Sequence, residues 1–280
     1  MGMPIWVNST FANADLKIAV SLIEPHLMAG YSGGRKAICP GICGVETIRF
    51  FHGPEILSHP NATEGCIEGN PVHEQSLAVA RTVGVGFSVN VTMNEDRQVT
   101  GVFCGELEVA HAAGVRYVQE QASAFVDTPA DIVVTSSAGH PLDLTLYQAV
   151  KGLTAVLPVV KEGGTIIIAA RCEEGIGSPE FTDLLFSVET VDEFLSRIRE
   201  PGFFVVDQWQ LQELCKVIKK ADVWLYSEGV SSRMTSLPLF QLASSVGAAV
   251  GAATERHGPG ARLAVVPSGP YVLPQLRGAA

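Results

Sequence analysis

The stretch that decides the fold is residues 131–170, DIVVTSSAGHPLDLTLYQAVKGLTAVLPVVKEGGTIIIAA. It opens with a short β-branched run, passes through a helical pattern and ends in a continuous apolar run. Two strands separated by a helix predict a β-α-β unit, and a continuous apolar strand is typical of a parallel sheet covered on both faces. We place the helix over residues 143–160, with Asp143 as its N-cap.

The same alternation continues along the chain. Helical patterns at residues 187–198 and 208–221 are followed by a strand pattern, DVWLYS, at residues 222–227. This succession predicts an α/β domain with a Rossmann-like parallel sheet over residues 127–262. Ligands of such sheets bind at the carboxyl ends of the strands, so the loop SSAGHP, residues 136–141, is a candidate ligand loop.

The first part of the chain, residues 1–126, is richer in glycine and less regular. Strand patterns at residues 86–93 and 98–104 predict a hairpin, and a helical pattern begins at Glu106. We expect these residues to form a separate α/β domain. We expect the tail, residues 263–280, to return to that first domain.

Composition limits the possible functions. The 280 residues are 47% hydrophobic and 17% charged, which is sufficient for a packed core. A net charge of −10 disfavours a nucleic-acid partner. The first twenty residues lack the pattern of a signal peptide, and no apolar stretch is long enough to span a bilayer, so we predict a cytoplasmic protein without a membrane partner. The six cysteines are scattered and do not predict a zinc site.

A glycine-rich loop, EPHLMAGYSGGRKAICPG, occupies residues 24–41. It is not a Walker A motif, because Arg35 precedes Lys36 and Ala37 follows it, and it contains no G-x-G-x-x-G. Glycine N–H groups together with Arg35 and Lys36 can bind an anion, and a lysine beside a second cation can act as a nucleophile. The alternative is a solvated turn with ordinary surface cations.

Two histidines have surroundings that suit chemistry. His26 follows Pro25, which restricts the local backbone, and imidazole suits proton transfer near neutral pH. His52, in RFFHGPE, has an apolar setting that suits a ligand of a soft metal. For each histidine taken alone, a hydrogen-bonded structural role is the more common alternative.

The second domain contributes two polar clusters. In LYQAVKG, residues 146–152, Gln148 and Lys151 share a helix face with Tyr147 beside them, which suits the binding of a carboxylate. The alternative is an amphipathic helix with one exposed lysine. In DQWQLQ, residues 207–212, Trp209 either lines a cofactor site or lies on the core face.

Taken together, these segments resemble the nickel-pincer-nucleotide-dependent lactate racemase family. The resemblance covers essentially the whole chain, and the segments occur in the family's order. It rests on the following stretches: ADLKIAVSLIEPHLMAGYSGGRKAICPG, ETIRFFHGP, NPVHEQ, LYQAVKG and DQWQ.

The resemblance implies a racemase or epimerase, an isomerase that transfers a hydride reversibly between a 2-hydroxy acid and the cofactor. That cofactor is nickel pyridinium-3,5-bisthiocarboxylic acid mononucleotide. The resemblance assigns the cofactor's covalent attachment to Lys36, the nickel ligand to His52, a cofactor contact to Trp209, acid/base catalysis to His26, catalytic and substrate contacts to Gln148 and Lys151, and a substrate contact to Tyr147.

The implied partners are a small hydroxy acid and the enzymes that mature the cofactor. Family members begin upstream of this sequence, and their leader carries a second acid/base histidine and a substrate-binding arginine. We therefore expect the first domain to be incomplete, as a fragment, as one half of a split racemase with an upstream partner chain, or as a non-catalytic remnant. A zinc hydrolase that uses His26 and His52 is disfavoured, because no H-E-x-x-H motif is present.

Overall fold

The computed structural model of the chain describes residues 2–94, 96–232 and 234–278. The chain divides into two compact units, Met1–Ala122 and Ser123–Ala280. Both units combine helices with β-sheet, which confirms the predicted α/β class. The second unit starts at the strand Ser123–Val126, which the sequence analysis assigned to the first domain, because this strand pairs with Leu273–Leu276.

The first unit consists of short helices around a small sheet. Its helices are α1 (Ser9–Ala12), α2 (Val45–Phe51), α3 (Pro54–Leu57), α4 (Pro71–Val83) and α5 (Leu107–Ala122), with a 3₁₀ helix at Gly34–Ala37. Its strands are β1 (Ile18–Leu22), β2 (Pro25–His26), β3 (Gly30–Tyr31), β4 (Phe87–Met93) and β5 (Val99–Gly105).

The sheet of the first unit has the order β1-β4-β5. β4 runs parallel to β1 and antiparallel to β5, and the latter pair confirms the predicted hairpin. Helix α5 packs on β4 and β5, and Ser88 and Asn90 are buried. The alternate residues point the other way, where Val20 and Val102 are 69% and 59% exposed. Apolar valine side chains therefore lie on the face of this sheet that is not covered within the unit.

The second unit alternates strands and helices. Its helices are α6 (Leu146–Thr154), α7 (Pro179–Phe186), α8 (Val191–Arg197), α9 (Gln208–Lys220), α10 (Glu228–Ser231) and α11 (Val246–His257), with 3₁₀ helices at Leu157–Val159 and Gly269–Tyr271. Its strands are β6 (Ser123–Val126), β7 (Ala130–Ser136), β8 (Val160–Ala169), β9 (Ala221–Tyr226), β10 (Gln241–Leu242), β11 (Leu263–Val266) and β12 (Leu273–Leu276).

The main sheet of the second unit is parallel, as predicted, with the order β10-β9-β8-β7-β11. Helices cover both of its faces. Ile166 and Ile168 of β8 pack in the core with side chains of α6 and α9, whereas Ile167 packs in a second core with side chains of α11. Successive residues of a strand face opposite layers, so three consecutive isoleucines supply both cores.

The C-terminal tail does not follow the prediction. β11 pairs in parallel with β7, and β12 pairs with β6, so the tail belongs to the second unit as far as residue 278. The expectation that residues 263–280 return to the first domain is wrong for the described residues. The apolar run Leu263–Val266 instead pairs with the edge of β7, whose backbone groups thereby gain hydrogen-bond partners.

The helix of the opening β-α-β unit also differs from the prediction. α6 begins at Leu146, and its N-cap is Thr145, whose hydroxyl accepts a hydrogen bond from the Gln148 amide. The predicted cap, Asp143, is buried three residues earlier, and its carboxylate accepts a hydrogen bond from the Arg171 amide. Asp143 therefore joins two loops instead of capping a helix.

Among the described residues, no helix has the length and apolar character needed to cross a membrane.

Two histidines lie close to the buried Arg35 in the first unit. The rings of His73 and His111 are stacked, with centroids 6.1 Å apart. Burial, and then the charge of Arg35, lowers the pKa of His73 to about 4 and that of His111 to about 3, from a usual value of 6.5. Both imidazoles are therefore neutral in the folded protein at neutral pH.

The close packing of α6 on β7 predicts opposite effects of one substitution in two helices. A Cβ atom on Gly152 would lie 2.7 Å from the Ser136 carbonyl oxygen, whereas a Cβ on Gly251 in α11 would meet nothing within 4 Å. Gly152→Ala should lower the free energy of unfolding by about 1–3 kcal/mol, and Gly251→Ala should raise it by about 0.5–1 kcal/mol. Urea unfolding of both variants measures this difference, and stabilisation by both would contradict the close packing.

The neutral histidines predict acid sensitivity. Below about pH 6.5 the unfolded chain binds protons that the folded chain resists, so stability is greatest above that pH and declines as the pH falls towards about 4. A His73→Gln variant should lose stability less steeply as the pH falls. The slope of its unfolding free energy against pH should differ from that of the parent by the equivalent of at most about one proton per molecule. Urea midpoints at about pH 8 and about pH 5 measure the slope.

The control for this prediction is His59→Gln, which changes a histidine at an exposed position. It separates the effect of His73 from the effect of removing any histidine. An identical pH slope in the parent and in His73→Gln would show that His73 is not held neutral by the fold.

Candidate functional site

His26 lies on the short strand β2 at the start of the glycine-rich loop. Its Nδ1 atom accepts hydrogen bonds from the amides of Met28 and Ala29, at 3.2 Å in each case. An imidazole nitrogen that accepts hydrogen bonds carries no proton, so in the neutral ring the proton sits on Nε2. The backbone thereby selects the tautomer that His26 presents.

The glycines of the loop allow close packing of the chain. Gly33 and Gly34 both have positive φ, and a Cβ atom on Gly33 would lie 2.6 Å from Cγ1 of Ile23. The Gly34 amide donates to Ser21 Oγ at 2.8 Å and to Asn90 Oδ1 at 2.9 Å. This amide is therefore not available to bind an anion, which was one of the two interpretations of the loop.

Arg35 also differs from its predicted role as a cation for a ligand. Its side chain is 1% exposed, and its guanidinium donates to the carbonyl oxygens of Ala29 and Tyr31, at 2.9 Å in both cases. Burial of a charge requires such partners. Carbonyl groups of the loop accept the hydrogen bonds of the Arg35 guanidinium, so this charged group points into the protein.

Lys36 and His52 lie near each other. Lys36 is partly exposed in the 3₁₀ helix Gly34–Ala37, and His52 is 9% exposed at the C-terminal end of α2. Burial, and then the charge of Lys36, lowers the pKa of His52 to about 3. The structure thus brings together a lysine and a neutral imidazole that are sixteen positions apart in the sequence.

Two thiols close to this lysine in sequence form a hydrogen-bonded pair. The hydrogen bond between Cys39 and Cys43 lowers the pKa of the Cys43 thiol, and the same bond together with burial raises the pKa of the Cys39 thiol. The sequence analysis had treated these cysteines as scattered. Nevertheless, no group of three or more His, Cys, Asp or Glu side chains that could hold a metal ion occurs among the described residues.

In the second unit, loops after β7, β8 and β9 meet at the carboxyl edge of the sheet. Arg171 links them, because its amide donates to Asp143 Oδ2 and its carbonyl oxygen accepts from the Ser227 hydroxyl. The predicted ligand loop, residues 136–141, follows β7 at this edge. Helix α6 starts from the same loop, so its first turn lies beside the edge where ligands of parallel sheets bind.

Tyr147 and Trp209 contact each other. Trp209 is 8% exposed, and its Nε1 donates to the Tyr147 hydroxyl at 3.0 Å. Burial, and then the negative charge of Asp207, raises the pKa of Tyr147 above its usual value. Tyr147 also packs edge-to-face on Phe181, with ring centroids 5.2 Å apart. These contacts connect the first turns of α6, α7 and α9.

Gln148 and Lys151 occupy the first two turns of α6. The Gln148 Oε1 atom is buried and has no hydrogen-bond partner within the part of the chain that the structure describes. Lys151 follows three residues later, on the same side of the helix. The two residues therefore occupy one side of α6, whose first turn lies next to the carboxyl edge of the sheet.

Asp207 and His111 are not among the residues predicted from the sequence. Asp207 adopts a left-handed conformation, with φ 68°, before α9, and it accepts a hydrogen bond from the Ser178 hydroxyl at 2.7 Å. Asp tolerates this conformation better than most residues, so its place ahead of a helical pattern was a weak local signal. No local signal marks His111, because its partners lie far away in sequence.

Comparisons with known proteins point to one family. A family model described as the lactate racemase N-terminal domain matches residues 1–65, and one described as the lactate racemase C-terminal domain matches residues 126–273. The lactate racemase of Lactiplantibacillus plantarum is 36% identical over 272 residues, covering 95% of this chain and 63% of that protein. The lactate racemase of Thermoanaerobacterium thermosaccharolyticum is 34% identical over 276 residues, covering 97% and 64%.

Solved structures are similar as well. The lactate racemase apoprotein from T. thermosaccharolyticum superposes with a TM-score of 0.90 at 33% identity, covering 97% of this chain and 65% of that one. A protein from Thermotoga maritima, with a TM-score of 0.73 and 18% identity, shares the fold. The chain spans less than two thirds of the length of the curated relatives it matches. By its family matches and its relatives, this chain belongs to the lactate racemase family.

Proposed function

We propose that this chain contributes to the active site of a racemase or epimerase that acts on 2-hydroxy acids such as lactate. The observation that carries the proposal is the pairing of Lys36 with the buried, neutral His52 at the positions where the family's cofactor is expected. The relatives are lactate racemases, which supports lactate as the substrate.

The described residues fit the nickel-pincer nucleotide cofactor. A neutral imidazole is a good ligand for nickel, and the lowered pKa of His52 keeps its ring neutral. No cluster of three protein ligands occurs among the described residues, so His52 would hold the metal together with the cofactor's own donor atoms. Lys36 is partly exposed on a rigid loop, where its amine can form a covalent attachment.

When bound, the cofactor would supply a hydride acceptor, the pyridinium ring, and Lys36 and His52 would hold it. His26 carries its proton on Nε2, because Nδ1 accepts two backbone hydrogen bonds. His26 therefore donates a hydrogen bond from Nε2 to the carbonyl oxygen of the keto acid, which gains negative charge as the hydride returns to its carbon. The hydroxyl proton that leaves when the hydroxy acid is oxidised goes to the second acid/base histidine that the resemblance implies. The tautomer of His26 suits the donor role better than the role of a base.

The second unit supplies the groups that recognise a carboxylate. Lys151 provides the positive charge, and Gln148 provides an amide on the same side of α6. The amides at the start of this helix add a positive potential. The Tyr147–Trp209 hydrogen bond keeps the first turn of α6 in place, so Tyr147 and Trp209 act by supporting these groups.

The proposal extends to location and partners. We propose a cytoplasmic protein that works with cofactor-maturation enzymes and has no nucleic-acid or membrane partner. The support for this is the composition of the chain and its resemblance to the family. An upstream partner chain is an alternative source of the remaining site residues.

The second candidate function is a non-catalytic fragment or one half of a split racemase. One observation favours it: the sheet of the first unit has an exposed face that carries Val20 and Val102. Racemisation of L-lactate by the isolated chain, followed by chiral chromatography, separates the two candidates. Turnover by these 280 residues alone would rule out the fragment.

Lys36→Arg should abolish covalent loading of the cofactor while the fold is retained. The guanidinium preserves the charge next to His52 but cannot form the attachment. The measurement is intact-protein and peptide mass spectrometry, with nickel analysis, after co-expression with the family's cofactor-maturation enzymes. An unmodified Lys36 without bound nickel in the parent protein would contradict the proposal. Lys161→Arg, which changes a lysine of the second unit, is the control.

Lys151→Met should weaken binding of the hydroxy acid without preventing cofactor loading. Loss of a charged hydrogen bond to a carboxylate costs about 1.5–3 kcal/mol, so KM should rise about 10–150-fold. The matched control is Lys219→Met, which removes a half-exposed lysine of α9 paired with Asp192. Equal KM values for the parent and Lys151→Met would exclude Lys151 from substrate binding.

A further inference from the structure

Arg35 is among the largest fully buried side chains of the described residues. Burial lowers its pKa to about 9, so the guanidinium is still charged at neutral pH. A buried charge lowers stability unless hydrogen bonds surround it. The partners that provide those bonds show which part of the chain Arg35 controls.

Most of these partners lie in one short segment. Nη2 donates to the carbonyl oxygens of Ala29 and Tyr31 at 2.9 Å, and Nη1 makes longer contacts with those of Ser32, at 3.5 Å, and Gly33, at 3.4 Å. Four carbonyl groups within five residues thus point at one planar cation. A guanidinium can bind them together because its five N–H groups have fixed directions.

His111 of α5 closes the other side of this cluster. Its Nε2 lies 2.6 Å from Arg35 Nη1 and 2.9 Å from the Ser32 carbonyl oxygen. A Cβ atom on Gly34 would lie 3.0 Å from its ring, so the loop is in direct contact with the imidazole. The contact between Arg35 and His111 spans 76 positions of sequence and attaches the loop to α5.

The segment held in this way joins two groups of the proposed active site. At its start, the Ala29 amide donates to His26 Nδ1, while the Ala29 carbonyl accepts from Arg35. At its end, Lys36 directly follows Arg35, and the Lys36 amide donates to the Gly33 carbonyl. Arg35 is therefore connected through one residue to His26 and through the next peptide bond to Lys36.

We propose that Arg35, held by His111, is a positioning residue that fixes the Nε2 atom of His26 and the amine of Lys36 relative to each other. It acts through the backbone of residues 29–36 and does not contact the substrate. The importance of this position for catalysis rests on the proposed function. The geometry itself concerns only residues of this chain and can be tested without cofactor.

The test measures the reactivity of Lys36 in the unloaded protein. Limited labelling with acetic anhydride, followed by peptide mass spectrometry, gives the labelling rate of Lys36 relative to Lys219 in the same molecule. His111→Ala should change this ratio by about threefold or more, since amine reactivity follows position and environment. His111→Gln, whose side-chain amide can replace the Nε2 contact, should return the ratio towards the parent value.

A second readout reports on His26. In protein labelled with ¹⁵N-histidine, the His26 signals, assigned by their loss in His26→Gln, should show a protonated Nε2 in the parent. His111→Ala should shift these signals, and His111→Gln should restore them. Arg35→Met should change both readouts at least as much as His111→Ala, provided that it remains folded by circular dichroism.

The control for stability is Val79→Ala, which truncates a fully buried side chain of α4. It should lower the urea midpoint but leave the Lys36 ratio and the His26 signals unchanged. The proposal is overturned if folded His111→Ala matches the parent in both readouts, or if Val79→Ala changes them equally. A different result is possible: the variants change the Lys36 ratio and the His26 signals, but the parent protein never carries the cofactor on Lys36. That result would support the positioning role and contradict the proposed function.

Discussion

The first unit depends on the need to surround a buried positive charge with oxygen atoms. Arg35 can lie in the core only because carbonyl groups of its own loop point inwards. This requirement explains the positive φ of Gly30 and Gly33, since the chain must turn sharply to present those carbonyls. It also explains the position of α5, whose His111 completes the cluster. The conformation that carries His26 and Lys36 follows from this arrangement.

The second unit depends on a different constraint, the covering of a parallel sheet. Three consecutive isoleucines of β8 are fully buried because helices lie on both faces. Layers of this kind leave only the strand ends open, and polar loops collect there. Asp143, Arg171 and Ser227 connect these loops through backbone and side-chain hydrogen bonds. The rigid edge that results supports Gln148 and Lys151 at the start of α6.

The glycine-rich loop shows why residue type alone can mislead. Glycines next to an arginine and a lysine are typical of an anion site, and that was one hypothesis from the sequence. In the structure a Cβ atom on Gly33 would collide with Ile23, and the Gly34 amide already has two acceptors. The glycines permit close packing, and Arg35 serves the core. Of the two cations, only Lys36 is partly exposed.

The sequence by itself determined the α/β class, the hairpin β4–β5 and the parallel order of elements, because these depend on periodicity and on short-range turns. It also placed Lys36 and His52 in segments that resemble the lactate racemase family. Only the tertiary structure decided the neutral state of His52, the attachment of β11 to β7 and the internal role of Arg35. Burial and the direction of a hydrogen bond depend on residues distant in sequence, as with His111 and Arg35, and no local pattern records such partners.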